Sequence, residues 1–364
     1  MDPDSVVLSL RGLTKRFGGV LAVDDVDLDI QRGEFVTLLG PSGCGKTTTV
    51  RMIGGYEEPT DGQIILDGVD ITDLPPRKRD IGMVFQDYAL FPHMTVAENI
   101  GYPLRMRKWS GERIEARVTE MLDLVRLEGL GRRNPWELSG GQRQRVALAR
   151  ALAFSPRLLL MDEALGALDA KLREYMRTEI RRIQNLLRIT TIHVTHDQEE
   201  ALGMSDRVVV MKEARIAQVA TPRDLYEDPA SVYVADFVGR INLLRATVVE
   251  HADDATVLEL DEPQLTGRSS RRLRARPAPG QALGTSVRVG VRPEFVHIAS
   301  EAAAENCVHG TVVATKFGGP LEYISVAIAP DRILNVIAKP GDGSRAGDVY
   351  LHWSPDRALV LSLD

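Results

Sequence analysis

The sequence predicts an α/β protein with a parallel-sheet core, smaller antiparallel-β and helical subdomains, and a C-terminal all-β domain. Three observations predict it. A phosphate-binding loop at residues 40–47 sits between a buried strand and a helix. A second short apolar strand, residues 157–161, ends in the acidic pair Asp162 and Glu163. Near Val238 the alternation of strands and helices stops, and short strands with Gly/Pro punctuation take over. The expected domains are therefore 1–238 and 239–364, with a helical subdomain at about 90–155.

At 364 residues the chain exceeds one typical core, which agrees with two domains. A hydrophobic content of 44% with 26% charged residues is that of an ordinary globular protein. The net charge of -6 argues against nucleic acid as a partner. Two cysteines, Cys44 and Cys307, form no disulfide framework and suit a reducing compartment. The start, Met1-Asp2-Pro3-Asp4-Ser5, lacks the features of a signal peptide. No stretch approaches the roughly 20 apolar residues of a membrane span, so any membrane role has to come through partner subunits.

Residues 6–10 and 20–30 alternate as strands, with Phe17-Gly18-Gly19 as a turn between them. Residues 34–39 form a buried strand. It leads into Gly40-Pro41-Ser42-Gly43-Cys44-Gly45-Lys46-Thr47, a full match to G-x-x-x-x-G-K-[ST], followed by Thr48 and a helix through Met52. The glycines let backbone N–H groups wrap phosphates, Lys46 reaches the β/γ oxygens, and the Thr47 hydroxyl is placed to ligate Mg²⁺. Cys44, two residues from Lys46, is a candidate for a depressed thiol pKa, against a plain packing role in the loop.

Residues 63–70 suggest a strand and turn of the antiparallel subdomain, and residues 81–85 another strand ending at Gln86. The loop from Asp87 to Val96 offers Phe91 and Met94 among several large apolar groups. From Gly111 to about Gly131 an apolar face of Ile114, Val118, Met121, Leu122, Val125 and Leu127 predicts helix. Ser139 is a good helix N-cap ahead of Gly140, Gly141 and Gln142, and a helix start of this kind suits a phosphate. Two phosphate sites so far apart in one chain suggest half-sites that meet when two copies face each other.

At the end of strand 157–161, Asp162 is placed to hold Mg²⁺ and Glu163 to polarise a water as general base. Residues 190–195 are a β-branched strand, with His193 a packed or edge residue, and a helix opens at His196-Asp197. Residues 206–211 close the core sheet. The tail offers strands at 246–249, 286–291, 310–314 and 323–328, a small barrel or sandwich. The five arginines between Arg268 and Arg276 suit a solvated hairpin loop better than an anionic ligand.

Taken together these motifs resemble the ATP-binding cassette transporter ATPases, a P-loop NTPase cassette fold; Leu138–Gln142 is similar to their signature sequence. The resemblance implies that Phe17 stacks on adenine and that Gln86 touches Mg²⁺ or the attacking water. It implies that His196 touches the γ-phosphate and that Asp169 communicates across a dimer. Ser139, Gly140 and Gly141 would cap the γ-phosphate of ATP held by the other copy, and the 87–96 loop would line a groove for a membrane subunit. Ala164 stands where the family has proline and Gly166 where many members have serine, changes expected to loosen the dimer-contact loop. The tail, through Val291-Arg292-Pro293-Glu294, resembles the oligonucleotide-binding-like regulatory (TOBE) domain of importer ATPases. The implied partners are a second copy, two integral membrane permeases and an external solute-binding protein, at the cytoplasmic face of the membrane. Residues 102–107, 236–239 and 242–244 are most similar to polyamine importers, with sugar and ferric-iron importers as alternatives. A non-transport cassette ATPase is disfavoured because neither a second cassette nor a coiled-coil insertion is visible. A module that binds ATP without turnover is disfavoured by Glu163 and His196.

Overall fold

The computed structural model describes residues 6–166, 168–261, 271–302, 306–341 and 347–362; Ala167 and Arg268 lie outside the described residues. The chain divides into two compact units, one through Asp224 and one from Leu225.

The first unit opens with β1 (Val6–Phe17) and β2 (Val20–Gln31), which pair antiparallel. Strand β3 (Phe35–Leu39) runs through the loop into α1 (Lys46–Gly54), and β4 (Asp61–Leu66) and β5 (Val69–Asp70) complete a four-stranded sheet in the order β2-β1-β4-β5. Then come β6 (Ile81–Val84), α2 (Val96–Met106), α3 (Gly111–Leu124) and α4 (Gly140–Leu152). After them follow β7 (Leu158–Asp162), α5 (Ala170–Leu187), β8 (Thr190–Thr195), α6 (Gln198–Met204), β9 (Arg207–Lys212) and β10 (Arg215–Ala220). The second sheet has the order β10-β9-β3-β8-β7-β6. Its strands are parallel except for β10, which pairs antiparallel with β9.

Every residue of β3, β7 and β8 is buried, as parallel strands covered on both faces require. Two apolar cores flank this sheet. One joins it to α2, α3, α4 and α5, and the other packs it against α1 and the antiparallel sheet.

Three elements differ from expectation. The sheet does not end at Met211: β10 adds an edge strand whose residues are mostly half-buried, too weakly patterned to declare itself. Helix α3 stops at Leu124 rather than near Gly131, because Arg126 turns left-handed (φ 56) so that Val125 and Leu127 reach the core from a loop. The amphipathic α5 fills a stretch for which no element is expected.

In the second unit, α7 (Pro222–Glu227) runs across the division and is followed by α8 (Val232–Phe237). From β11 (Asn242–His251) onward the unit is all-β: β12 (Thr256–Leu260), β13 (Arg272–Ala275), β14 (Ser286–Val291), β15 (His297–Ala299), β16 (Cys307–Phe317), β17 (Glu322–Ala329), β18 (Arg332–Ala338), β19 (Gly347–His352) and β20 (Leu359–Leu361). They form two antiparallel five-stranded sheets, β13-β12-β11-β14-β20 and β15-β19-β16-β17-β18, sharing one core. Arg292 of the Val-Arg-Pro-Glu stretch is buried, and its guanidinium donates to the carbonyls of Ala235, Arg240 and Tyr226. It thereby ties the 226–240 segment to the β-domain, a structural use of a buried cation.

Candidate active site

The site lies at the carboxyl ends of the parallel strands, and register explains how it assembles. Val84 of β6 pairs with Met161 of β7, and Met161 pairs with His193 of β8. Residues just past these partners therefore leave the sheet side by side: Gln86, Asp162 with Glu163, and His196. Gln86 donates its amide to Glu163 Oε2 at 3.2 Å, and His196 Nδ1 lies 3.5 Å from Glu163 Oε1. Glu163 itself takes a left-handed backbone (φ 46), with its N–H bonded to the carbonyl of Val194 at 3.1 Å. Such strain in a non-glycine residue costs on the order of 1–3 kcal/mol and clusters at functional sites.

The phosphate loop reaches the same place from β3. Gly45 is left-handed (φ 104), and a Cβ there would stand 2.4 Å from the carbonyl of Ala22, so only glycine lets the loop pass. Lys46 is buried, with its ammonium donating to the carbonyls of Gly40 at 2.7 Å and Pro41 at 2.9 Å. The Thr47 hydroxyl donates to Asp162 Oδ1 at 2.9 Å. Burial pushes the Asp162 carboxyl pKa up, against the pull of Thr47 and Arg51. A hydroxyl and a carboxylate facing each other across this gap are hard oxygen donors, the set that suits Mg²⁺. Beside them Arg51, Phe85, Gln86, Asp87, Ala89 and Asp162 line a cleft of about 480 Å³. The residues present thus fit a nucleotide triphosphate and its cation.

Of the two readings of Cys44, the structure favours the packing one over a depressed thiol. Burial raises its pKa, outweighing Lys46, whose nitrogen lies 3.8 Å from the sulfur. His193 is packed: buried in an interior strand, it bonds Glu200 at 3.0 Å. Burial pushes the Glu200 carboxyl up, yet the His193 bond and charge, with Thr195 and Arg173, leave it below its ordinary value.

Ser139 caps α4 in a reciprocal box with Gln142: the Ser139 N–H donates to Gln142 Oε1 at 2.9 Å, and the Gln142 N–H donates to Ser139 Oγ at 3.3 Å. A Cβ on Gly141 would stand 2.9 Å from Leu172, so glycine permits this helix start to lie against α5. Phe17 is 47% exposed at the end of β1, with the Lys15 ammonium 4.8 Å from its ring centroid. Asp169 accepts the Leu172 N–H as the N-cap of α5. In the Ala164–Gly166 turn, Ala164 and Leu165 are buried and the Gly166 N–H bonds the Glu163 carbonyl, so this part of the loop is tied down.

Sequence reasoning missed the left-handed turn at Tyr88 (φ 63) and Ala89 (φ 42) after Gln86, and Arg150, whose guanidinium holds both of their carbonyls. The one signal for Arg150 was a charge in an otherwise apolar stretch of α4.

Residues 23–166 match the ABC transporter family and residues 289–361 the TOBE domain. The spermidine/putrescine import ATP-binding protein PotA of Methylococcus capsulatus is 47% identical, over 99% of this chain and 93% of that protein. The protein of the same name from Rubrobacter xylanophilus is 48% identical, over 98% and 94%. Among solved structures, a dimeric post-hydrolysis state of an ATP-binding cassette bound to ADP and Pi is 35% identical, with a TM-score of 0.54, and covers 59% of this chain and 99% of that one. A part of the cbiONQ ABC transporter complex from Clostridium perfringens is 30% identical, with a TM-score of 0.57, and covers 61% and 90%. The chain belongs to the family of ABC transporter ATP-binding proteins that carry a C-terminal TOBE domain.

Proposed function

We propose that this chain is the ATP-hydrolysing subunit of a polyamine importer, serving spermidine or putrescine. The observation that carries the hydrolytic part is the convergence of Lys46, Thr47, Gln86, Asp162 and Glu163 at one end of the parallel sheet. Two copies close head to tail. The loop 40–48 of one copy holds ATP, with Phe17 against the adenine, and Ser139, Gly140, Gly141 and Gln142 of the other copy complete the γ-phosphate site. That a solved cassette 35% identical to this chain is a dimer bound to ADP and Pi supports the pairing of two copies.

On closure Lys46 exchanges the carbonyls of its own loop for the phosphates. Glu163 takes the proton of a water that attacks the γ-phosphorus as the bridging P–O bond breaks, giving ADP and phosphate. Gln86 orients that water, and His196 steadies the γ-phosphate. Thr47, Asp162 and Gln86 would hold Mg²⁺, which neutralises phosphate charge when bound. Because the site is whole only when two copies close around ATP, hydrolysis can be coupled to movement of membrane subunits.

Among the described residues no helix is long and apolar enough to cross a membrane. On the importer names of its relatives, the chain is assigned to the cytoplasmic face, where it works through two permease subunits supplied by an external solute-binding protein. The polyamine assignment rests on the names of relatives aligned over nearly the whole chain. It is tested by measuring phosphate release from the assembled complex with solute-binding proteins loaded in turn with spermidine, putrescine, a sugar and ferric iron. Stimulation by the polyamine carriers alone is expected. Stimulation by a sugar or iron carrier instead overturns the solute, and failure to assemble with any membrane subunit overturns the transport role.

A further inference from the structure

Arg150 lies on α4, the helix that begins at the Ser139 cap, yet its guanidinium ends beneath the loop that follows Gln86. One nitrogen donates to the Ala89 carbonyl at 2.7 Å and another to the Tyr88 carbonyl at 2.9 Å. Both residues are left-handed, a conformation that side-chain-bearing residues hold only when their surroundings impose it. A planar fork can impose it, because it fixes two successive carbonyls at once. The same guanidinium stands 5.6 Å from the Phe91 ring centroid. It forms part of a groove of about 340 Å³ with Tyr56, Phe85, Phe91 and Tyr102. Burial works against its charge, so the ion is kept here in spite of its desolvation.

We propose that Arg150 is a positioning residue for hydrolysis: by pinning the Tyr88–Ala89 turn it sets where Gln86 meets Glu163, and it links that contact to the helix of Ser139 and to the apolar groove. A shift of α4, or a partner segment pressing into the groove, then reaches Gln86 through one side chain. This rests on the proposed role of Gln86 and Glu163 in hydrolysis.

The test compares Arg150→Lys, Gln86→Ala and the double variant, each in the full-length chain assembled with its membrane subunits. Lysine keeps the charge but offers one ammonium nitrogen in place of the planar pair that meets the two carbonyls, so it loses the fork's geometry. Each single substitution is expected to lower kcat by about tenfold or more with KM for ATP little changed, since small misplacements near the chemistry are costly. The double variant is expected to be no slower than Gln86→Ala alone, because residues acting through one another are not additive. Adding Ala89→Gly to Arg150→Lys is expected to restore part of kcat, since glycine accepts the left-handed turn without help. Losses that multiply in the double variant, or no rescue by glycine, overturn the inference. A full kcat in Gln86→Ala overturns the reading of the site itself, a distinguishable failure. Should Arg150→Lys not fold, Arg150→Gln, an uncharged side chain that also lacks the fork, takes its place in the double-variant comparison and the glycine rescue.

Discussion

Gln86 and Glu163 are 77 residues apart in sequence and in hydrogen-bond contact, amide to carboxylate, at 3.2 Å. Their meeting follows from the parallel register of β6 and β7, in which Val84 and Met161 are partners and each precedes its functional residue by two. Glu163 in turn stands between this amide and the His196 ring, which fits a base whose orientation is set from both sides.

Glu163→Gln is expected to bind ATP, to accumulate as a closed dimer and to lose roughly 10²–10⁴-fold in turnover, the usual contribution of a general base. Phosphate release, nucleotide binding and size-exclusion chromatography with ATP check this together. A variant that turns over at the wild-type rate removes Glu163 from the role of base.

Asp162→Asn should separate stability from activity. The Asp162 carboxyl is pushed up by burial, with Thr47 and Arg51 acting the other way. A carboxyl raised in the folded state favours folding while protonated, below the ordinary carboxylate range, and loses that contribution as pH rises through its folded value. The neutral amide is therefore expected to raise Tm of the nucleotide-free protein at pH 7, with the gain vanishing towards the acid end, while ATP turnover collapses. Melting curves across pH decide it. A Tm gain that is equal at all pH values contradicts the assignment.

Cys44, with its buried and raised thiol, is expected to react with iodoacetamide more slowly at neutral pH than an exposed cysteine, and faster as pH rises. ATP should protect it, and the alkylated chain should no longer bind nucleotide. Mass spectrometry of the labelled peptide beside a nucleotide-binding assay measures both. Full labelling with unchanged affinity would show that the loop tolerates bulk at this point.

Most of the site was legible in the sequence because its residues follow short, wholly apolar strands or sit in a loop whose spacing has one physical use. Lys46, Thr47, Asp162 and Glu163 are of this kind, and parallel pairing brings their strands' ends together. The orientation of Lys46 towards its own carbonyls was not legible, since spacing says nothing of a side chain's partner. Arg150 escaped for the same reason: its partners are carbonyls about 60 residues away that any sequence could supply. In the fold, β10 and the end of α3 were lost where half-burial and a left-handed residue blur the hydrophobic period.

Phe91 packs on Tyr102 with ring centroids 4.5 Å apart and helps line the groove beside Arg150. Phe91→Ala is expected to keep ATP affinity while the solute-stimulated part of ATP turnover falls by about tenfold, the size of one apolar anchor lost from an interface. Stimulated turnover equal to wild type would take the groove out of the coupling path.

The central claim, that each ATP is held by the loop of one copy and the Ser139 helix of the other, is tested most directly with mixed dimers in a Glu163→Gln background. In one preparation Lys46→Ala and Ser139→Arg are placed on different chains; in the other both are on one chain paired with an unaltered partner. Trapped ATP per dimer is then counted. Shared sites predict trapped ATP when the substitutions are on different chains, where one composite site stays whole, and none when they share a chain. The reverse result, ATP trapped only when one chain is left unaltered, would contradict the account.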